Sequence, residues 1–416
     1  MKKIAVIVLL AVLPGLMFAG GAREEARPTT LTINSYMSDE APKQALANLV
    51  AEFEAENPEI SVEVNTIAHE QFKIVLPTWL TSSSPPDVVT WFAGYRMQAF
   101  AERGMLEPLD DAFEGTAFTD AFPQAFVDAS SYDGRVYFLP QSWYWWAVYY
   151  NTEVFDNLGL EVPETWDEFL AVAEALKQGG VQPIAIGARD TWTAGGWFGA
   201  LNSAINGMDY HLDLTMGNIP YTDAGVRRVF ETFAELNSRG YIMENATSYS
   251  WQEAATLLFN GEAGMYLMGQ FLYDVAPSEV QPNLDFFRFP TIGDHGYAVD
   301  TPIDGYMIPA NARNKDAAKR FIAYLATRES QEQFATELGR LAANQHVAPP
   351  DENARRGLEM VQSAVGAMQF YDRDAPEEMA QRGMVAIIEA MENPDRIPQI
   401  LEELDQDRVR IHAEDP

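Results

Sequence analysis

Apolar positions recur along this chain in two alternating rhythms. Leu46, Leu49, Val50 and Phe53 fall at i, i+3, i+4 and i+7, one face of a helix that Asn57-Pro58 stops. The preceding "LTINSYM" reads as a strand, and "ISVEV" after the helix alternates apolar and polar as a half-buried strand does. A helical stretch from Phe72 to Leu80, containing Pro77, leads through "SSSPP" to the strand "DVVTWF" and, past Gly94, to the helix "RMQAFAERG". This β-α-β-α-β order predicts a mostly parallel sheet wrapped by helices. The rhythm resumes with "TWDE", a capping box with Thr165 as cap and Glu168 three residues on. Phe169, Leu170, Ala173 and Leu176 form that helix's stripe, "VQPIAIGA" follows as a strand, and Val226, Val229, Phe230, Phe233 and Leu236 mark a later helix. Two α/β units of similar build, joined near residue 140, are predicted.

At the join lies "QSWYWWAVYYNTEVF", with six aromatic rings in the eight positions from Trp143 to Tyr150. Read as one strand, it sets Trp143, Trp145 and Tyr149 on one side and Tyr144, Trp146 and Tyr150 on the other. A central strand buries both faces, so at least half of these rings should be core. Trp143 and Tyr144, nearest the start, are the ones expected to reach a ligand; parity does not choose between Trp145 and Trp146. Ligands of open α/β sheets sit at the carboxyl ends of strands. Those ends deliver Tyr36, then Trp91 and Phe92, then Asp190 and Trp192, then Gln270 and Phe271, while Trp251 lies in a segment read as a loop. For any one ring, core packing is nearly as good a reading as ligand contact.

Composition narrows the classes. A chain of 416 residues exceeds one ordinary core, so two lobes or domains are expected. The absence of cysteine removes disulfides, thiolate metal sites and thiol nucleophiles. A formal charge of -33 repels phosphate backbones, so no nucleic-acid role is expected. Met1-Lys2-Lys3, the apolar "IAVIVLLAVLPGLMF" and the small residues "AGGA" form the three parts of a secretory signal peptide over residues 1–22. Gly21 stands where a lipidated cysteine would be, so a free, unlipidated, periplasmic or extracellular protein is expected.

Enzymatic constellations come up empty. The five histidines are scattered, and no H-E-x-x-H, G-x-S-x-G, P-loop or G-x-G-x-x-G follows a strand. No catalytic residue, metal or cofactor is therefore expected. The aromatic constellation survives: flat rings cover the C–H faces of a pyranose, and planar polar side chains hold its hydroxyls.

The stretches "AEFEAENPEISVEV", "DGRVYFLPQSWYWWAVYYNTEVFDNLGLEVPETWDEF", "FNGEAGMYLMGQFLYD" and "DGYMIPANARNKDAAKRFIAYLATRESQEQF" run in an order that is familiar. The chain resembles the extracellular solute-binding proteins of bacterial ABC sugar importers, the family that includes maltose-binding protein. The resemblance implies an α/β, two-lobed periplasmic-binding-protein-like fold, each lobe a mostly parallel sheet flanked by helices, joined by a multi-crossing hinge. Its lobes would be residues 29–140 with 305–350 and 141–304 with 351–416. It adds Asn34, Asp304 and Gly305, and less directly Asn344, to the ligand-binding candidates. It also implies a sugar ligand, membrane permease subunits as partners and a monomer. Two rivals stand beside it: a secreted carbohydrate-active enzyme, and a binding protein for a charged solute such as a polyamine. An anion site would want arginine, for which the sequence suggests only Arg96 and Arg189 nearby.

Overall fold

The computed structural model describes residues 28–113 and 118–414, so the signal segment lies outside the described residues. The strands used below are β1 Thr29–Ser35, β2 Ile60–Thr66, β3 Val88–Phe92, β4 Leu139–Trp143, β5 Trp146–Asn151 and β6 Gln182–Ile184. They continue as β7 Ala263–Gly269, β8 Leu284–Phe287, β9 Ala298–Asp300, β10 Ile303–Met307, β11 Leu341–Ala342 and β12 Gly366–Met368. One six-stranded sheet has the order β11-β4-β10-β3-β1-β2, and a four-stranded sheet the order β8-β5-β7-β6.

Helix α1, Glu40–Glu56, buries the predicted stripe of Leu46, Leu49, Val50 and Phe53, and Asn57 caps its end. Helices α2, His69–Leu80, and α3, Tyr95–Glu102, pack on the same first sheet. The capping box opens α4, Trp166–Gln178: Thr165 Oγ1 accepts from Glu168 N at 3.4 Å, and Glu168 Oε2 accepts from Thr165 N at 2.9 Å.

Each sheet has its own apolar core, and the chain passes between the two cores three times. It leaves the first core after Leu139 and joins the second at Tyr144, returns between Val299 and Ile303, and leaves again between Ala343 and Ala354. The molecule is two-lobed.

The crossings explain why the sheets are mixed where uniform parallel pairing is the simplest expectation. β1 pairs parallel with β2 and β3, but β10 is antiparallel to both β3 and β4. In the second sheet β6 is parallel to β7, whereas β5 is antiparallel to β7 and β8. β5 and β10 are the strands that arrive directly from the other lobe. Each enters its sheet at the edge facing the partner lobe and runs away from it; β11, which follows a helix of its own lobe, runs the same way as β10, and the remaining strands of the two sheets run toward the partner lobe.

The aromatic run is therefore two strands in two sheets, with Tyr144 and Trp145 as the first crossing. Their backbone groups are satisfied from elsewhere: Tyr144 N donates to Pro302 O at 3.3 Å, and Trp145 O accepts from Gln270 N at 3.0 Å. Trp145 and Tyr149 are fully buried in the second core. The helix Glu352–Gln362, arriving by the third crossing, lies so close that a Cβ on Gly357 would sit 2.3 Å from the Trp145 ring.

Candidate functional site

Between the lobes lies a cleft of about 330 Å³, within the usual ~300–1,000 Å³ of small-molecule sites. Strand direction accounts for what lines it. Tyr36 and Tyr144 follow the carboxyl ends of β1 and β4, Phe92 ends β3, and Asp304 is the second residue of the antiparallel β10 on the same edge. From the second sheet come Asp190 and Trp192 beyond β6, Phe271 beyond β7 and Trp146, which opens the antiparallel β5. Trp251 joins them as the first residue of helix α5, Trp251–Phe259, beyond Ser250, whose hydroxyl caps the helix.

The second-lobe wall is aromatic. Trp192 meets Trp146 edge-on at 6.0 Å, Trp251 at 6.3 Å and Phe271 at 6.1 Å, and Phe370 lies 4.8 Å from Trp146. The turn that presents Asp190 and Trp192 is strained. Thr191 sits at φ 58°, ψ -34°, and Trp192 N donates to Asp190 O at 2.6 Å, a γ-turn with a positive central φ.

The opposite wall and the floor, where the first lobe meets the crossings and the segment 370–374, are polar. Arg373, in the short helix Tyr371–Asp374, donates to Asp304 Oδ1 and to the Tyr144 hydroxyl, both at 2.9 Å, and its guanidinium stacks 4.6 Å from the Phe92 ring centre. Asp304 also accepts from the Tyr36 hydroxyl at 3.0 Å. Lys73 of α2 bridges Glu70 and Asp372, each at 3.0 Å. Arg340 pairs with Asp274, and both are buried.

Burial, and then the Asp304 charge, push the Tyr36 hydroxyl pKa well up, so it stays a donor. Burial works against the charge on Lys73, but Asp372 and Glu70 outweigh it and hold its pKa above the usual value. Asp372 is likewise buried, yet Lys73, Arg96 and Arg373 keep its pKa low. The Lys73–Asp372 pair is thus held in its charged form. Across the mouth, Gln252 Nε2 of α5 donates to Asp39 Oδ1 at 3.3 Å and links the two walls.

The sequence-predicted candidates divide by placement. Tyr36, Phe92, Tyr144 and Asp304 line the cleft from the hinge and first-lobe side, and Asp190, Trp192, Trp251 and Phe271 from the second. The other six do not line it. Trp91 is fully buried, stacked on Phe92 at 4.1 Å with the Arg96 guanidinium 5.2 Å from its ring centre. Trp143 turns the other way, donating from Nε1 to Ala342 O at 3.0 Å. Asn34 accepts from Asn65 Nδ2 at 3.2 Å inside the β1–β2 pair. Gln270 is buried and donates to Gly339 O at 3.0 Å. Asn344 holds a turn, its Oδ1 accepting from His346 N at 3.0 Å. Gly305 serves strand contact: a Cβ there would lie 1.9 Å from Leu139 O.

Sequence reasoning missed Trp146, Lys73, Arg340, Phe370, Asp372 and Arg373, all of which line the cleft. Trp146 follows from strand direction, because an antiparallel strand presents its first residue at the edge where parallel strands present their last. "FYDRD", residues 370–374, carried a signal as an aromatic and charged cluster. It stands 229 residues from Tyr144, however, and only folding brings it there. Arg96 and Arg189, the arginines suggested by sequence, are committed elsewhere: Arg96 to Glu377 at 3.0 Å and Arg189 to Glu253 at 2.6 Å.

Two lobes, three crossings and a cleft with one aromatic and one polar wall define a solute-capturing class of protein. Comparison with known proteins agrees. A profile of the bacterial extracellular solute-binding protein family matches residues 38–332, and the chain belongs to that family. An uncharacterized ABC transporter extracellular-binding protein from Pyrococcus horikoshii is 28% identical over 299 residues, covering 70% of this chain and 66% of the relative, just under two thirds of its length. A multiple sugar-binding protein from Streptococcus mutans is 22% identical over 343 residues, 80% of each chain. Among solved structures, the bacterial solute receptor AcbH, described as having an exclusive substrate preference for b-D-galactopyranose, is similar at TM-score 0.87 and 32% identity. That match covers 92% of this chain and 99% of AcbH.

Proposed function

We propose that this chain is the substrate-binding component of an ABC importer, capturing a mono- or oligosaccharide by hinge closure and delivering it to a membrane permease. The carrying observation is the cleft itself: Trp146, Trp192, Trp251 and Phe271 face Tyr36, Asp304 and the ion pairs of Lys73 and Arg373 across it. Rings of this kind cover the C–H faces of a sugar, and the polar groups select its hydroxyls. The similarity to a multiple sugar-binding protein and to a galactopyranose receptor supports the same reading.

Because each lobe supplies part of the contact surface, a bound sugar favours the closed arrangement. Moving an open–closed balance from 1:99 to 99:1 takes about 5.5 kcal/mol of differential affinity. The lobes proposed for this motion carry the two sheets, residues 29–143 with 303–343 and 146–299 with 354–414, a few residues either side of the bounds expected from sequence, with the three crossings between them as hinge. Export through residues 1–22 would place the free protein outside the cytoplasmic membrane.

A thermal-shift screen of mono-, di- and trisaccharides, with spermidine and putrescine alongside, tests this. A sugar that binds only the folded form raises the melting temperature by mass action. Shifts with polyamines alone would overturn the sugar assignment, and turnover of an oligosaccharide would replace binding by catalysis.

A further inference from the structure

Given a cleft that holds a sugar, as proposed above, its lining also selects the ligand's charge. Four basic side chains border the cleft, and each is already engaged by a carboxylate. His69 Nδ1 lies 2.9 Å from Glu70, Lys73 lies 3.0 Å from both Glu70 and Asp372, and Arg373 lies 2.9 Å from Asp304. Arg340 is paired with Asp274. An anionic group entering the cleft would have to displace one of these carboxylates, two of which, Asp304 and Asp372, are themselves buried.

On the aromatic wall the situation is reversed. Asp190 has no hydrogen-bonded or ion-paired partner for its carboxylate among the described residues, and its neighbour Arg189 is turned away to Glu253 at 2.6 Å. The strained γ-turn at Thr191 holds the backbone of Asp190 and Trp192 together, and both side chains line the cleft. Burial, and then the charge of Glu70 on the opposite wall, raise its pKa. Both walls therefore present negative charge to the same space, and only one of those charges lacks a partner.

We propose that Asp190 is a specificity-determining residue: its unpaired carboxylate accepts hydrogen bonds from an uncharged or ammonium-bearing sugar and repels sugars that carry a carboxylate or phosphate. Juxtaposed like charges at a binding surface cost several kcal/mol, which corresponds to at least about a hundredfold in affinity. Neutralising Asp190 while keeping its shape removes part of that discrimination, and added salt weakens what remains.

The test is titration calorimetry at pH 7.5 on the mature protein and its Asp190→Asn variant. The probes are D-galactose, D-glucose and D-mannose, each with its 6-uronate and its 6-amino-6-deoxy analogue. Should only a disaccharide from the screen bind, that disaccharide and its terminal uronate take their place. The uronate is expected to bind at least about a hundredfold more weakly than its neutral parent, with the amino analogue retained. In Asp190→Asn the gap should narrow by about tenfold or more, with the melting temperature of the unliganded protein little changed. A uronate that binds as well as its parent, or a gap unchanged in Asp190→Asn, overturns this proposal and leaves the sugar reading standing. Absence of binding by every saccharide overturns the sugar reading, and this one with it.

Discussion

Replacing Arg373 by methionine probes the polar floor of the cleft directly. Methionine keeps an apolar stem against Phe92 but removes the donors that reach Asp304 and the Tyr144 hydroxyl at 2.9 Å. Summed as isolated contributions, a hydrogen bond to a charged group at ~1.5–3 kcal/mol and a desolvated cation–π contact at ~2 kcal/mol would make Arg373 strongly stabilising. That sum ignores the desolvation of the guanidinium, which cancels much of it. What the substitution does lose is compensation for Asp304, which stays buried with the Tyr36 hydroxyl at 3.0 Å as its remaining side-chain donor. Breaking one side of a buried pair costs about 3–5 kcal/mol, and the surviving Tyr36 bond puts this case near the lower figure.

The double variant Arg373→Met with Asp304→Asn leaves no lone charge and should recover at least about half of the loss. Urea unfolding followed by near-ultraviolet circular dichroism, completed as a double-mutant cycle, reads both quantities. A single-variant loss below about 1 kcal/mol, or a double variant at the sum of the singles, would refute the argument that the pair is a coupled buried unit.

Two further outcomes are expected. Trp192→Ala should weaken binding of the saccharide found in the screen by about ten- to a hundredfold in titration calorimetry, because a large rigid contact is lost; unchanged affinity would remove that ring from the ligand surface. Asp374 accepts a hydrogen bond from Tyr95 N at 3.3 Å, and burial raises its carboxyl pKa to about 6. A folded pKa above the unfolded one means the native state holds the proton more tightly. This group's contribution to stability is therefore full at low pH and declines as pH climbs from about 4 to about 6. Asp374→Asn should accordingly stabilise by roughly 3 kcal/mol at pH 7.5 and by little at pH 4, read as melting temperature against pH; equal effects at both pH values would contradict the assignment.

The chain by itself determined the local elements. The stripe of Leu46, Leu49, Val50 and Phe53, the Thr165–Glu168 capping box and the short strands of both halves are all present, because periodicity and caps act over a few residues. Tyr36, Phe92, Asp190, Trp192 and Phe271, chosen from strand ends, lie along the cleft. Tertiary structure decided which strands run against their neighbours, and with that the exchange of Trp143 for Trp146 at the cleft. For β5 and β10, direction is set by where the chain crosses between lobes, not by the residues of the strand. It also decided that Lys73 meets the distant Asp372, that Arg340 lies over Tyr144, and that Arg373 reaches both Asp304 and Tyr144. Such a network is written in no local pattern, since its partners are joined only by the packing of one lobe on the other.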